Sequence, residues 1–363
     1  MPHASDPPLH TEPPVPRIDA PEASQPGTAA ANGSDAPDIA IVIPFFQRKA
    51  GLLTQCVQSI LDQADAPAYR IIVVDDGSPI AADTELAELI PIAGDRLQII
   101  RQPNAGPGAA RNRGLDSVPP GTRYVTFLDS DDAWCGPFLS DAVHALDQGY
   151  DFFFGNSTRV GKPDTRFEWD RQPERNIRAE EHQLIDAERG IHEYGGDFFD
   201  LLVRRSSIVG PTTLAYRFER FPEVRFDPRL YNGQDRLFKL SLGQHLQRVA
   251  FSARPYAHEG EGINIFDKSQ WGSPDSLRFL SSYIRLAKYI LADIRLNDEQ
   301  RRFVAAQLLD SRRSFVASIV HLLGKRAPID WSRVFATFRE DPATAATVVP
   351  ELLCIVSGRL RRQ

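Results

Sequence analysis

Short runs of β-branched residues alternate with amphipathic stretches over the first part of the chain. The runs at 39–43, 69–74, 97–101 and 124–128 are predicted to be strands, and the first two, which are short, continuous and rich in Val and Ile, are predicted to be buried. Residues 49–63 carry apolar side chains three and four positions apart, which predicts an amphipathic helix. Alternation of strands and helices at this spacing predicts βαβ units, so the fold class is α/β with a mostly parallel sheet.

The pattern changes twice along the chain. The first 37 residues are rich in Pro and Ala and too polar to bury a core, whereas beyond residue 265 long helices predominate, predicted at 276–294 and 298–323. The sequence therefore predicts three segments: a disordered tail at 1–37, an α/β domain at 38–265 and a helical C-terminal extension at 266–363. No run reaches the ~18 apolar residues of a spanning helix, and no signal peptide is evident, so a cytoplasmic location is expected.

Charge and cysteine content narrow the possible functions. The 363 residues carry a formal net charge of −6, and a protein that binds nucleic acid through phosphate contacts is usually basic, so no nucleic-acid partner is expected. The three cysteines, Cys56, Cys135 and Cys354, are far apart in sequence. This spacing argues against a disulfide framework and against a zinc site.

Acidic residues follow two of the predicted strands. Asp75 and Asp76 end the second strand, and Asp129 and Asp131 form an Asp-x-Asp turn after the fourth. Ligands of such sheets bind outside the carboxyl ends of the strands, and clustered carboxylates suit a hard divalent cation that bridges substrate phosphates. Aspartates after strands also cap helices, but two clusters at matching strand ends favour a nucleotide-phosphate site.

The turn after the first strand excludes several enzyme classes. It reads Pro-Phe-Phe-Gln-Arg at 44–48, where a dinucleotide-binding fold would need Gly-x-Gly-x-x-Gly. The chain also lacks a P-loop and the Gly-rich, Lys-containing signature of sugar-phosphate nucleotidyltransferases. A metal-dependent phosphatase or nucleotidyl-transfer enzyme would need a first-strand signature of its own, and that signature is absent.

Four segments occur in a specific order: Ile-Val-Ile-Pro-Phe-Phe at 41–46, Val-Val-Asp-Asp-Gly-Ser at 73–78, Asn-Ala-Gly-Pro-Gly-Ala-Ala-Arg-Asn at 104–112 and Phe-Leu-Asp-Ser-Asp-Asp at 127–132. Together they resemble the N-terminal signatures of family 2 glycosyltransferases, which are inverting enzymes with the GT-A fold. The resemblance covers residues 39–135 strongly and extends weakly to about 265. The string Gly-Glu-Gly-Ile-Asn at 260–264 is similar to a segment of bacterial exopolysaccharide glycosyltransferases.

The resemblance implies a role for each matching residue. The residues expected to bind the nucleotide sugar are Pro44, Phe46, Asp75, Asp76, Asn104, Gly108, Arg111, Asp129 and Ser130. Among them, Pro44 and Phe46 would line the base pocket, and Asp76 would accept from the uracil ring N–H. Mg²⁺ or Mn²⁺ on the diphosphate would be bound by Asp131 and Asp129. The remaining candidates are His258 as a third metal contact, and Trp134 and Asp132 as contacts to sugar or acceptor; His258 is equally consistent with a surface histidine, and Trp134 with a core residue.

The candidate catalytic base is Asp235, at the start of a predicted helix in Asn-Gly-Gln-Asp-Arg-Leu-Phe at 232–238. A helix N-terminus stabilises the carboxylate anion, which is the form that accepts a proton. Asp227 and Glu223 are the nearby alternatives for the base. Asp235 is also consistent with a structural residue that caps the helix and takes no part in the chemistry.

The expected reaction is sugar transfer from a UDP-linked donor to a hydroxyl of a carbohydrate or lipid-linked saccharide, with inversion. A non-catalytic nucleotide-sugar-binding module is the alternative. Arginines flank the apolar stretches at 315–323 and 352–356, which is consistent with peripheral binding to the inner face of an anionic membrane. A solvated basic face packed on the catalytic domain explains the same pattern.

Overall fold

The computed structural model describes residues 36–168, 175–230, 232–260, 272–273 and 275–348. The predicted 1–37 tail, apart from its last two residues, and the apolar stretch at 352–356 lie outside the described residues. The described strands are β1 (Ile39–Phe45), β2 (Tyr69–Asp75), β3 (Leu97–Arg101), β4 (Tyr124–Phe127), β5 (Ala133–Trp134), β6 (Phe152–Arg159), β7 (Gln183–Asp186), β8 (Ile191–Glu193), β9 (Leu214–Arg217) and β10 (Val249–Glu259).

Eleven α-helices accompany these strands within the described ranges. They are α1 (Leu52–Leu61), α2 (Ala82–Glu85), α3 (Ile90–Ala93), α4 (Pro107–Leu115), α5 (Phe138–Asp147), α6 (Phe198–Arg205), α7 (Gln234–Gly243), α8 (Ser276–Asp293), α9 (Asp298–Gly324), α10 (Trp331–Glu340) and α11 (Pro342–Ala346). The predicted strands and the long C-terminal helices are confirmed, so the fold class is α/β followed by helices.

One mixed sheet runs through the α/β part in the order β3-β2-β1-β4-β9-β6-β10-β8-β7, with β5 paired to β10. The first four of these strands are parallel, whereas β9 runs antiparallel to both β4 and β6. The chain leaves β1 toward β2 on one side and later returns to β4 on the other side. The edge between the carboxyl ends of β1 and β4 is therefore a topological switch point, where such sheets bind ligands.

Both faces of the sheet are covered at β1, which explains why this strand is apolar at every position. Ile39, Ile41 and Ile43 of β1 point into one core, and Ala40 and Val42 point into the other. Their side chains are all fully buried. A strand buried on both faces loses the alternation of polar and apolar residues that marks a half-exposed strand.

The C-terminal helices share one of these two cores. Leu277 and Ile284 of α8 and Phe315 of α9 belong to the same buried cluster as Phe238 of α7. The predicted domain boundary at residue 265 lies in a stretch that the structure does not describe, and it stays a prediction. Among the described helices, none is long and apolar enough to cross a membrane.

Candidate active site

The acidic turn after β2 shapes the loop that leads into α4. Both carboxylate oxygens of Asp76 accept backbone hydrogen bonds, Oδ1 from Ala105 (2.9 Å) and Oδ2 from Gly106 (2.8 Å), and Oδ1 also accepts from the Gln102 side chain (2.7 Å). Asn104 returns a hydrogen bond to the carbonyl of Asp76 (2.9 Å). The loop is thereby fixed against the carboxyl end of β2, and lone pairs remain on Oδ2 for a ligand N–H.

Asp75 has a different environment from its neighbour. Its two oxygens accept from the backbone amides of Ser78 (2.8 Å) and Ala82 (2.9 Å), so the side chain is buried and holds the turn that begins α2. Pro44 and Phe46, by contrast, are each partly exposed on either side of the buried Phe45. The wall of the predicted base pocket therefore has two accessible apolar groups.

Arg111 brings a positive charge to the switch point. It lies on α4, is almost fully buried, pairs with Asp129 and stacks over the ring of Phe226 at 5.4 Å. Its Nε and Nη1 are buried without a hydrogen-bond partner among the described residues. Unpaired buried donors are costly, so an anionic ligand such as a diphosphate would complete this environment.

The Asp-x-Asp turn concentrates negative charge beside Arg111. Burial, and then the neighbouring Asp129, raise the pKa of Asp131 to about 6. Asp132, whose pKa burial and Asp129 also raise, is held by the hydroxyl of Thr212 and the backbone amide of Gly260 (2.9 Å). Asp129 and Asp131 are therefore the carboxylates available to a cation, and Asp132 serves as a structural tether.

The loop at the end of β10 packs directly on this turn. A Cβ at Gly260 would lie 2.0 Å from the carbonyl oxygen of Asp131, so only glycine allows this approach. His258 precedes it, is exposed, and its Nδ1 hydrogen-bonds with Thr158 (2.7 Å). The described residues contain no group of three His, Cys, Asp or Glu side chains placed to hold a metal ion.

Trp134 lies in the interior of the protein. Its side chain is 5% exposed, its Nε1 donates to the carbonyl of Thr212 (2.8 Å), and its ring packs against Phe138 at 4.8 Å between centroids. These contacts are typical of a core tryptophan and leave little ring surface for a sugar. They support the strand ends around the acidic turn instead.

Asp235 occupies the first turn of α7. A Cβ at Gly108 would lie 3.3 Å from Cγ of Gln234, which places the start of α7 against the start of α4. Burial alone would raise the pKa of Asp235, but the cations of Lys239 and Arg111 more than offset it, and the pKa lies below its usual value. Asp235 is therefore a carboxylate at neutral pH, with 36% of its side chain exposed.

Lys239 is a residue that the sequence reasoning missed. Its ammonium is 2% exposed, donates to the carbonyls of Ser206 (2.8 Å) and Val209 (2.7 Å), and stands 3.3 Å from Asp235 Oδ2. The four-residue spacing of Asp235 and Lys239 on a predicted helix was the available signal. The charge of Asp235 also acts on Tyr283 of α8: burial, and then that charge, raise the pKa of Tyr283 to about 12.

The two alternative bases are placed differently. Asp227 forms a bidentate pair with Arg229, whose hydrogen bonds hold the pKa of Asp227 below its usual value. Glu223 is exposed. Of the three candidates, Asp235 has the electrostatic contact with Arg111 that ties it to the nucleotide side of the site.

Comparison with known proteins agrees with this architecture. The profile of the family described as Glycosyl transferase family 2 matches residues 40–208. Succinoglycan biosynthesis protein ExoW of Rhizobium meliloti is 30% identical over 249 residues, which cover 66% of this chain and 74% of that protein. A GalNAc(5)-diNAcBac-PP-undecaprenol beta-1,3-glucosyltransferase of Campylobacter jejuni is 33% identical over 123 residues, 33% of this chain and 38% of that one.

Solved structures agree at the level of the fold. The crystal structure of S. aureus TarS 1-349 in complex with UDP-GlcNAc aligns with a TM-score of 0.53 at 19% identity, covering 77% of this chain and 79% of that chain. The α/β architecture with its switch point and acidic strand ends defines a GT-A protein. This chain belongs to glycosyltransferase family 2.

Proposed function

We propose that this glycosyltransferase moves a sugar from a UDP-linked donor to an acceptor hydroxyl with inversion of the anomeric carbon. The observation that carries the proposal is the convergence of Arg111, Asp129 and Asp131 at the switch point, with the ionised Asp235 close enough to Arg111 for that charge to lower its pKa. Relatives support it by their printed names: one TarS structure is a complex with UDP-GlcNAc, and another is a complex with UDP. The acceptor class, a carbohydrate or lipid-linked saccharide in polysaccharide synthesis, follows the names of ExoW and the Campylobacter enzyme.

A divalent cation fits the donor set. Asp129 and Asp131 supply hard oxygen ligands, and burial together with the neighbouring Asp129 raises the pKa of Asp131, so a cation there would stabilise the Asp131 carboxylate. Mg²⁺ commonly takes one or two carboxylates and completes its shell with water and substrate phosphates. When bound there, Mg²⁺ or Mn²⁺ would neutralise the departing diphosphate. His258 stays a proposal as an additional ligand.

The remaining chemistry belongs to side chains of this chain. Arg111 would donate its unpaired N–H groups to the donor and so hold its charge at the switch point. Asp235 would accept the proton of the acceptor hydroxyl as that oxygen attacks the anomeric carbon from the face opposite the diphosphate. The alternative, a binding module without chemistry, would bind the donor without depending on an ionised Asp235.

Donor identity is tested by thermal shift with UDP- and GDP-sugars in the presence of Mn²⁺. We expect one UDP-sugar to raise Tm by several degrees when it is present at about 100 times its Kd, because a ligand at that excess adds about 2.7 kcal/mol to the free energy of unfolding. Free UDP should produce part of the shift. Stabilisation by GDP-sugars alone would contradict the UDP assignment, and stabilisation by none would contradict the proposed donor class.

Lys239 provides a prediction about pH. Because Lys239 lowers the pKa of Asp235, and because a base acts only when deprotonated, Lys239→Met should move the acidic limb of the kcat/KM profile to higher pH. The matched control is Lys288→Met, since Lys288 pairs with Asp341. An unchanged acidic limb in folded Lys239→Met would show that the limb does not report Asp235.

We also propose that the enzyme acts in the cytoplasm at the inner face of the membrane, where lipid-linked acceptors are found. The apolar stretch at 315–323 does not provide the contact. Phe315, Val316, Ile319 and Leu322 are buried against the rest of the protein, which supports the alternative of a packed helix.

A further inference from the structure

The unusual surface of the C-terminal region lies on α10. Trp331 and Phe335 are 46% and 66% exposed, and Leu323, at the end of α9, is 53% exposed. Trp331, Phe335 and Arg339 recur at every fourth position and form one stripe, which we call the α10 face. Large aromatic side chains on a single helix face rarely stay in water without a partner.

The opposite side of α10 explains why the helix is held in this orientation. Val334 and Thr337 are buried, and the ring of Phe338 packs edge-on against Phe315 of α9 at 6.2 Å. The helix is therefore anchored through its inner side, and the exposed aromatics are not needed for that packing. Asp330 caps its start by accepting from the amide of Arg333 (3.0 Å).

The charge around the α10 face is positive, although the whole chain carries a net charge of −6. The acidic groups at the two ends of α10 are compensated, because Asp330 pairs with Arg333 and Glu340 pairs with Arg285. By contrast, the exposed basic residues nearby form no ion pair with a described acidic residue: Lys325, Arg326 and Arg339.

We propose that the α10 face docks onto an anionic phospholipid bilayer, an inference that rests on the proposed use of a membrane-linked acceptor. Exposed Trp and Phe with adjacent lysine and arginine match the two components of an interfacial site, apolar insertion and attraction to lipid phosphate. The positive charge decides against a basic partner, and docking to an acidic protein surface instead of lipid would show as absence of vesicle binding by the parent. A second copy of this chain docked on the same face would bring the same positive groups together, and their repulsion disfavours self-association.

The test measures binding of the full chain to vesicles of phosphatidylglycerol and phosphatidylcholine in equal parts. We expect binding at about 50 mM salt, release at about 500 mM, and little binding to phosphatidylcholine alone. Trp331→Ala with Phe335→Ala should weaken binding about tenfold or more. The matched control is Ile92→Ala with Val160→Ala, because these residues are similarly exposed elsewhere, and it should bind as the parent does.

A second variant keeps the proposal testable if the aromatic variant is unstable: neutralising Lys325, Arg326 and Arg339 to Gln should abolish most of the salt-sensitive binding. Neutralising the exposed Lys162 and Arg302 to Gln, as a control, should leave the salt-sensitive binding unchanged.

Absence of vesicle binding by the parent, or binding by folded α10 variants within about twofold of the parent, would overturn the proposal. A change from dimer to monomer in the aromatic variant, with vesicle binding intact, would assign the face to self-association. The donor-induced thermal shift should be normal throughout, which separates this outcome from failure of the proposed function.

Discussion

Replacing Asp235 with asparagine is expected to lower kcat by about 10²–10⁴-fold while donor affinity stays nearly unchanged. Asparagine keeps the shape of the side chain but cannot accept a proton at neutral pH. The side chain is partly exposed but faces the buried ammonium of Lys239, so the variant is expected to lose some stability and is assayed as folded protein. The measurement is kcat from the release of UDP, together with the Kd of the donor, on folded protein.

Asp227→Asn is the matched control for Asp235→Asn. Asp227 is mostly buried and is held by the exposed Arg229, and the Asn substitution should leave kcat within a few fold of the parent. If the Asp227 variant loses turnover and the Asp235 variant keeps it, the two assignments are exchanged. If Asp235→Asn loses only about 1 kcal/mol of stability and keeps its turnover, the residue is a helix-capping group.

Replacing Asp131 with alanine is expected to weaken donor binding about tenfold or more and to lower turnover further, because the diphosphate loses its counter-charge in the ground state and in the transition state. Excess chelator should produce the same loss in the parent protein, and Mn²⁺ or Mg²⁺ should restore activity. The measurements are donor Kd and rate of UDP release, each with and without chelator.

The control for Asp131→Ala is Asp83→Ala. Asp83 pairs with Arg101 on the surface, where an ion pair contributes about 0–1 kcal/mol, so its loss should change neither quantity. Full activity of the parent in excess chelator would contradict the metal role of Asp131. Loss of turnover with unchanged donor affinity would move Asp131 from donor binding to another step.

Local patterns were sufficient to predict the elements that bring the site together. The apolar runs of β1 and β2 are short, continuous and bounded by turns, and parallel pairing then places Phe45 beside Asp75 at the sheet edge. The start of α7 was predicted from the sequence pattern of residues 232–238. Each of these inferences concerns neighbours in sequence or the direction of parallel strands, and both are encoded locally.

The contacts that divide the acidic residues into different roles could not be predicted this way. Asp132 is held by Thr212 and Gly260, which are 80 and 128 positions away. Asp75 is saturated by two backbone amides, which no side-chain pattern reveals. Hydropathy likewise could not distinguish a buried apolar stretch in α9 from a membrane-facing one, because both have the same composition, and only the packing of α9 decided between them.

Asp131 and Asp235 are proposed to act on different partners within one transfer site, the donor diphosphate and the acceptor hydroxyl. This division of roles is tested by titrating the UDP-sugar identified by thermal shift into the parent, Asp131→Ala and Asp235→Asn proteins with Mn²⁺ present. We expect a Kd about tenfold or more higher for Asp131→Ala and a Kd near that of the parent for Asp235→Asn. A donor Kd that is unchanged in Asp131→Ala, or raised equally in both variants, would contradict it.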